Sequence, residues 1–247
     1  MMIAARNAFL MSVGSSTPTA RDYAQDGLVA MFDTIENVAF GVSDHSDRRV
    51  VNLVGGDPLW TYNLTEGTVF GENYITSQTA SPFAANSFTK SRDPFSYIEV
   101  VFTPTTFKGE AFVFCLSKGY SFGIKHTMIE YRNATDGAIL QPHRYSPNRD
   151  YAVFAHSPAL GTRYTLCYAC SGESMISAFC NGIELPIQGG YSSSLYAYTG
   201  NGVWGGQGGN TRTTPGWLMH SVRLYSRALT AAEVAANYAI DAARFNL

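Results

Sequence analysis

GWLMHSVRLYSRALTAAEVAANYAIDAARFNL, residues 216–247, decides the fold. Its first half alternates. Leu218, His220, Val222 and Leu224 point one way, and Met219, Ser221, Arg223 and Tyr225 the other. Period-2 alternation with an apolar face predicts a strand. Thr230 then precedes Glu233 by three positions, the spacing of a capping box, in which hydroxyl and carboxylate each satisfy an orphan backbone N–H. Leu229 and Val234 occupy the flanking positions of a hydrophobic staple. The segment therefore reads as a strand, a tight turn and a short helix over residues 231–239.

Outward from this ending, the chain reads as strands. Candidates fall at residues 27–32, 68–70, 96–102, 111–116, 121–124, 127–131, 151–155, 164–170, 175–180, 183–185 and 218–225. The spacing and the Gly, Asn and Pro punctuation between them are those of an antiparallel sandwich. Asn181-Gly182 predicts a type I′ hairpin turn, because both residues tolerate φ > 0. Two stretches fall outside the strand grid. QPHRYSPNRD contributes a polar loop at residues 143–149. TGNGVWGGQGGNTRTTPG, residues 199–216, holds so many glycines that a strand is not expected there, since ordering them costs backbone entropy.

Composition bounds the function classes. At 247 residues the chain fits one all-β domain. The formal net charge is −2 with no basic patch, which argues against nucleic acid as a partner. No apolar run approaches a membrane span. Charged residues make up 15%, against about 25% in ordinary domains. Surfaces poor in charge and rich in Tyr, Ser, Thr and Asn suit contact with sugars or other proteins.

Cys167 and Cys170 form a CxxC, but on a strand-like run where side chains three apart face opposite sides. With no second CxxC, a zinc site is not expected. Cys115, Cys167, Cys170 and Cys180 are read as small apolar thiols. No cofactor is expected. The one metal weighed is calcium, on Asp44, His45 and Asp47 with Asp33, Glu36 and Asn37 upstream, but no Gly-punctuated ligand loop accompanies them. His220 is read as packed within its strand.

VRLYSRALTAAEVAANY resembles the closing segment of the laminin-G-like, concanavalin A-like jelly rolls. DGLVAMFDTIENVAFG, residues 26–41, RVVNLVGG, residues 49–56, and the Asn-Gly hairpin are similar to the opening and a middle hairpin of that family. The resemblance implies an all-β, two-sheet antiparallel jelly-roll sandwich with one short C-terminal helix. It implies binding of glycan or protein more often than catalysis. Hydrolases of this jelly roll carry E-x-D-x-x-E on one strand. That spacing is absent here, and Glu99 has Tyr97 and Val101 as its neighbours on the same face.

We expect residues 1–21 to form an N-terminal arm and residues 22–247 the jelly-roll domain. Ile3, Phe9, Leu10, Met11 and Val13 give the arm an apolar surface for a neighbouring subunit or partner. The leading expectation is a non-catalytic module that binds glycan or protein. Chains with such an ending resemble those of gut bacteria and their phages. This implies a virion surface or fibre-associated protein in a homo-oligomer or larger assembly. The alternatives are a secreted or cell-surface glycan-binding protein and a divergent glycan hydrolase. The expected ligand-binding residues are Tyr196, Tyr198, Asn201, Trp204 and Asn210. Aromatic faces offer area to sugar C–H groups at low entropy cost, and Asn both donates to and accepts from hydroxyls.

Overall fold

The helix begins where the capping box puts it and ends later than expected. In the computed structural model, α1 spans Ala231–Phe245, with Thr230 at its N-cap. The Glu233 N–H donates to Thr230 Oγ1, and the Thr230 N–H donates to Glu233 Oε2. Leu229 and Val234 are both buried in one apolar cluster with Tyr97, Cys167, Phe179 and Tyr225, as a staple requires. Beyond residue 239 the helix continues because Asp241 and Arg244 are buried and paired beneath it. Asn246, in the left-handed conformation, ends it.

The structure describes residues 17–35, 49–50, 52–54, 59–61, 68–77, 83–85, 97–106, 111–117, 126–134, 137–144, 150–154, 156, 158–171, 174–191, 201–204 and 217–247. In most of the second sheet the description is of the backbone. The strands, in chain order, begin with β1 (Leu28–Asp33), β2 (Arg49–Val50), β3 (Leu59–Thr61), β4 (Thr68–Phe70), β5 (Ile75–Ser77) and β6 (Phe83–Ala85). Next come β7 (Tyr97–Thr103), β8 (Ala111–Ser117), β9 (His126–Ala134), β10 (Gly137–Arg144), β11 (Asp150–Phe154) and β12 (Tyr164–Ser171). The last are β13 (Ser174–Cys180), β14 (Ile183–Glu184), β15 (Ile187–Tyr191), β16 (Asn201–Trp204) and β17 (Leu218–Tyr225).

These strands build a two-sheet antiparallel sandwich. The first sheet runs β14-β13-β12-β7-β17-β5-β4, with β1 also paired to β17. The second runs β15-β11-β10-β9-β8-β16-β6-β3-β2. Asn181 and Gly182 both have positive φ, and Cys180 pairs with Ile183 across them, so the predicted two-residue turn forms.

Three expectations change. The unbroken alternation over 218–225 slips at His220: Met219 pairs with Phe102 and Ser221 with Val101, leaving His220 as a bulge. The polar loop expected at 143–149 is strand at its start. His143 and Arg144 close β10, paired with Met128 and Thr127, even with Pro142 in the strand. Asn201–Trp204, read as outside the strands, is β16. The candidate strand at 121–124 lies outside the described residues, as do residues 1–16 of the expected arm.

Opposed residues of an antiparallel pair share a face. Ile98 with Leu224, Val100 with Val222 and Phe102 with Met219 therefore form one face of the first sheet, all buried. Ala30, Phe32 and Leu166 extend it. This apolar face is the inner one. The other face carries Tyr97, Glu99, Cys167, Arg223 and Tyr225, and α1 lies over it.

Candidate functional site

Glu99 and Arg223 face each other across β7 and β17, in the middle of the face under α1. The Arg223 Nε–H donates to Glu99 Oε2 at 2.7 Å. Its two terminal nitrogens donate to Asp241 Oδ1 and Oδ2, at 2.8 and 2.7 Å. The Tyr23 hydroxyl donates to Asp241 Oδ1 and the Thr165 hydroxyl to Asp241 Oδ2. Asn237 Nδ2 donates to Glu99 Oε2 and to the Tyr225 hydroxyl oxygen. Farther along the helix, Arg244 donates to both Asp33 oxygens. Tyr23 lies under both guanidinium groups, 4.0 Å from ring centre to that of Arg223. Glu99, Arg223, Asp241 and Asp33 are 0% exposed, so no substrate reaches these carboxylates in this state.

The sequence reading missed this network, although it correctly placed Tyr97 and Val101 beside Glu99. The available signal was helical spacing. Asn237, Asp241 and Arg244 continue the buried stripe begun by Val234. A polar residue at such a position marks a buried partner on the facing sheet. Asp33, weighed above as an upstream calcium ligand, is corrected here. Both of its oxygens are held by Arg244. Glu36, Asn37, Asp44, His45 and Asp47 lie outside the described residues. Among the described residues, no group of three or more His, Cys, Asp or Glu could hold a metal. No helix among them is long and apolar enough to cross a membrane.

Among the described residues, two histidines have close polar partners. His220 is fully buried, packed as expected. Its Nε2 accepts from the Arg163 Nε–H at 3.2 Å, so the ring proton sits on Nδ1, which donates to the Asn73 carbonyl at 2.6 Å. Burial, helped by the neighbouring Arg163 charge, pushes His220 down to about 3. It stays neutral at ordinary pH and ties three segments together. The Cys180 thiol lies 3.1 Å from His156 Nε2, the spacing of a nucleophile and its base. Burial pushes the thiol up to about 12 and lowers His156, and both shifts favour the neutral forms over a thiolate–imidazolium pair.

Of the five expected ligand-binding residues, Tyr196, Tyr198 and Asn210 lie outside the described residues. Asn201 and Trp204 begin and end β16. That strand lies between β8 and β6: Asn201 pairs with Ser117, and Trp204 pairs with Phe114 on one side and Phe83 on the other. The backbone at Trp204 is therefore held inside a sheet. A strand carrying Trp204 is a firmer platform than a free loop.

No protein-family model matches this chain, and no curated protein matches it. Solved structures do. A Trypanosoma rangeli sialidase in complex with the inhibitor DANA matches at TM-score 0.61 and 13% identity, over 91% of this chain and 34% of the sialidase. Domain 4 of AbnA, a GH43 extracellular arabinanase from Geobacillus stearothermophilus, in complex with arabinotriose, matches at TM-score 0.58 and 13% identity. There the match covers 84% of this chain and 96% of the domain. The receptor binding domain of botulinum neurotoxin D matches at TM-score 0.59 and 10% identity, over 87% of this chain and 52% of that one. The chain thus spans about a third of the length of the sialidase. At these identities the likeness is one of fold.

Proposed function

We propose that this protein is a non-catalytic β-sandwich module of the laminin-G-like, concanavalin A-like kind, and that it binds a neutral glycan. One observation carries the reading. The fold matches nearly the whole of an arabinanase domain seen with arabinotriose, a binding-sized unit rather than a complete enzyme. Two of the described acids fit this reading: Glu99 and Asp241 are bound to one buried arginine and are closed to a sugar.

The ligand surface in this reading is the Tyr196, Tyr198, Asn201, Trp204 and Asn210 set. A glycan array comparing the wild type with Trp204→Ala tests it. We expect discrete glycan signals from the wild type and a loss of tenfold or more in the variant, the order of one lost stacking contact plus its burial. No binding by the wild type, or equal binding by both, removes the site.

The module works in this reading on a phage virion surface or fibre, as part of a homo-oligomer or larger assembly, with a bacterial cell surface as the other setting. Residues 1–21 hold it to its neighbour. A chain lacking them is expected to melt like the full chain and to elute as a smaller species on size-exclusion chromatography. Unfolding of the truncated chain would show that the arm belongs to the core.

A second reading, a divergent glycan hydrolase, is favoured by the sialidase match over most of this chain. Turnover of a glycan panel, abolished by mutating a single acid, would establish it in place of the first.

A further inference from the structure

Among the described residues, two carboxylates share one guanidinium beneath α1: Glu99 and Asp241 both bind Arg223. All three groups are 0% exposed. An unbalanced charge in such a place is costly, and a carboxyl group commonly takes up a proton instead.

The hydrogen bonds show where a proton fits. Asp241 Oδ1 and Oδ2 each accept from an Arg223 N–H and from a second donor. Asp33 Oδ1 and Oδ2 each accept from Arg244. Glu99 Oε2 accepts from Arg223 Nε and Asn237 Nδ2, neither of which can accept in return. Of the six oxygens, Glu99 Oε1 alone faces no guanidinium or amide N–H in these contacts. Its partners are the Tyr97 hydroxyl at 3.3 Å and the Cys167 thiol at 3.6 Å, each placed to donate to it. Both are long contacts, and both groups can accept as well as donate.

We propose that Glu99 is a neutral carboxylic acid at physiological pH, with its proton on Oε1 toward Tyr97, and that this proton is the pH-sensitive part of the clamp holding α1 to the sheet. Every element around Glu99 enters the balance. Tyr97 and Glu99 itself come from β7, Cys167 and Thr165 from β12, and Arg223 and Tyr225 from β17. Asn237 and Asp241 come from α1, and Tyr23 from the segment before β1, with the Asp33–Arg244 pair beyond. Burial raises the carboxyl, and Arg223 opposes this without reversing it. Tyr97 and Cys167 are themselves raised by burial, so neither supplies a competing charge change near neutrality.

The sign follows. A carboxyl whose proton is held more tightly in the folded state adds stability below its unfolded pKa, and that stability is lost as pH rises through the folded value. Ionising Glu99 leaves two carboxylates sharing Arg223, one on the sheet and one on the helix, and the helix is the element free to lift.

The experiment follows the melting temperature of the full chain and of Glu99→Gln from about pH 6 to about pH 9. The amide keeps the shape and cannot ionise. We expect the wild type to lose about 2–4 °C or more relative to the variant across this range. Opening of Ala231–Phe245, read from hydrogen exchange after correction for its base-catalysed intrinsic rate, should rise with pH in the wild type only. Equal pH slopes in the two proteins overturn the proposal. Should Glu99→Gln not fold, infrared spectroscopy of the wild type with carboxyl-labelled glutamate decides. A protonated glutamic acid band at neutral pH, when surface glutamates are ionised, supports the assignment, and its absence overturns it.

Discussion

Along β7 and β17 the two faces of the first sheet are equally dry and chemically opposite. Val222 and Leu224 turn inward from β17 among aliphatic and aromatic side chains, all buried. Arg223, between them, turns outward and is just as buried, because α1 brings it a carboxylate. Burial is therefore no guide to polarity here. The inner face is held by apolar area removed from water, which is non-directional. The outer face is held by groups that must meet in fixed geometry. Breaking one partner of such a set leaves its others charged, dry and unpaired.

Arg223→Met should be the most damaging change on β17. It strands Glu99 and Asp241 together, at a cost of about 3–5 kcal/mol by chemical denaturation. Its neighbour Leu224→Ala opens a cavity on the inner face, at a cost of about 3 kcal/mol. The two should differ in kind as well as size. The arginine variant should recover stability as pH falls and the stranded Asp241 protonates, and the leucine variant should not share that recovery. Parallel pH profiles would collapse the distinction between the faces. The smallest effect belongs to the helix start. Thr230→Ala removes one capping hydroxyl and should cost about 1 kcal/mol, seen as a modest drop in melting temperature. A much larger loss would mean that the cap, rather than the charged face, fixes the helix.

How much of this was legible in the sequence follows from the same contrast. The inner face was readable because period-2 alternation is a local signal, as in β7 and β17. The helix start was readable because Thr230 and Glu233 sit three residues apart. The helix end was not. Asp241 and Arg244 look like surface residues until Arg223 and Asp33 are placed opposite them, and those partners are remote in sequence. β2, β3 and β6 have two or three residues each, too few to show a period. Pro142 and the glycines around Trp204 argue locally against strands that pairing partners impose. Of the expected ligand surface, only the backbone at Asn201 and Trp204 is described. Single-chain periodicity contains nothing that would bring Tyr196, Tyr198 and Asn210 to it.

One pairing has a consequence for synthesis. Leu28 of β1 pairs with Tyr225 of β17, almost two hundred residues later in the chain. β17 is also the strand that joins β7 to β5, and α1 follows it directly. During translation, at roughly 5–20 residues per second, β1 emerges about 10–40 s before the strand that completes its ladder. Throughout that wait, the nascent chain carries Phe32, Val100 and Phe102 without their cover, and Asp33 and Glu99 without their arginines. The ribosome must release the chain through Tyr225 before the first sheet closes, so a message cut within the codons for residues 218–225 should yield protein for the quality-control machinery rather than a smaller working domain.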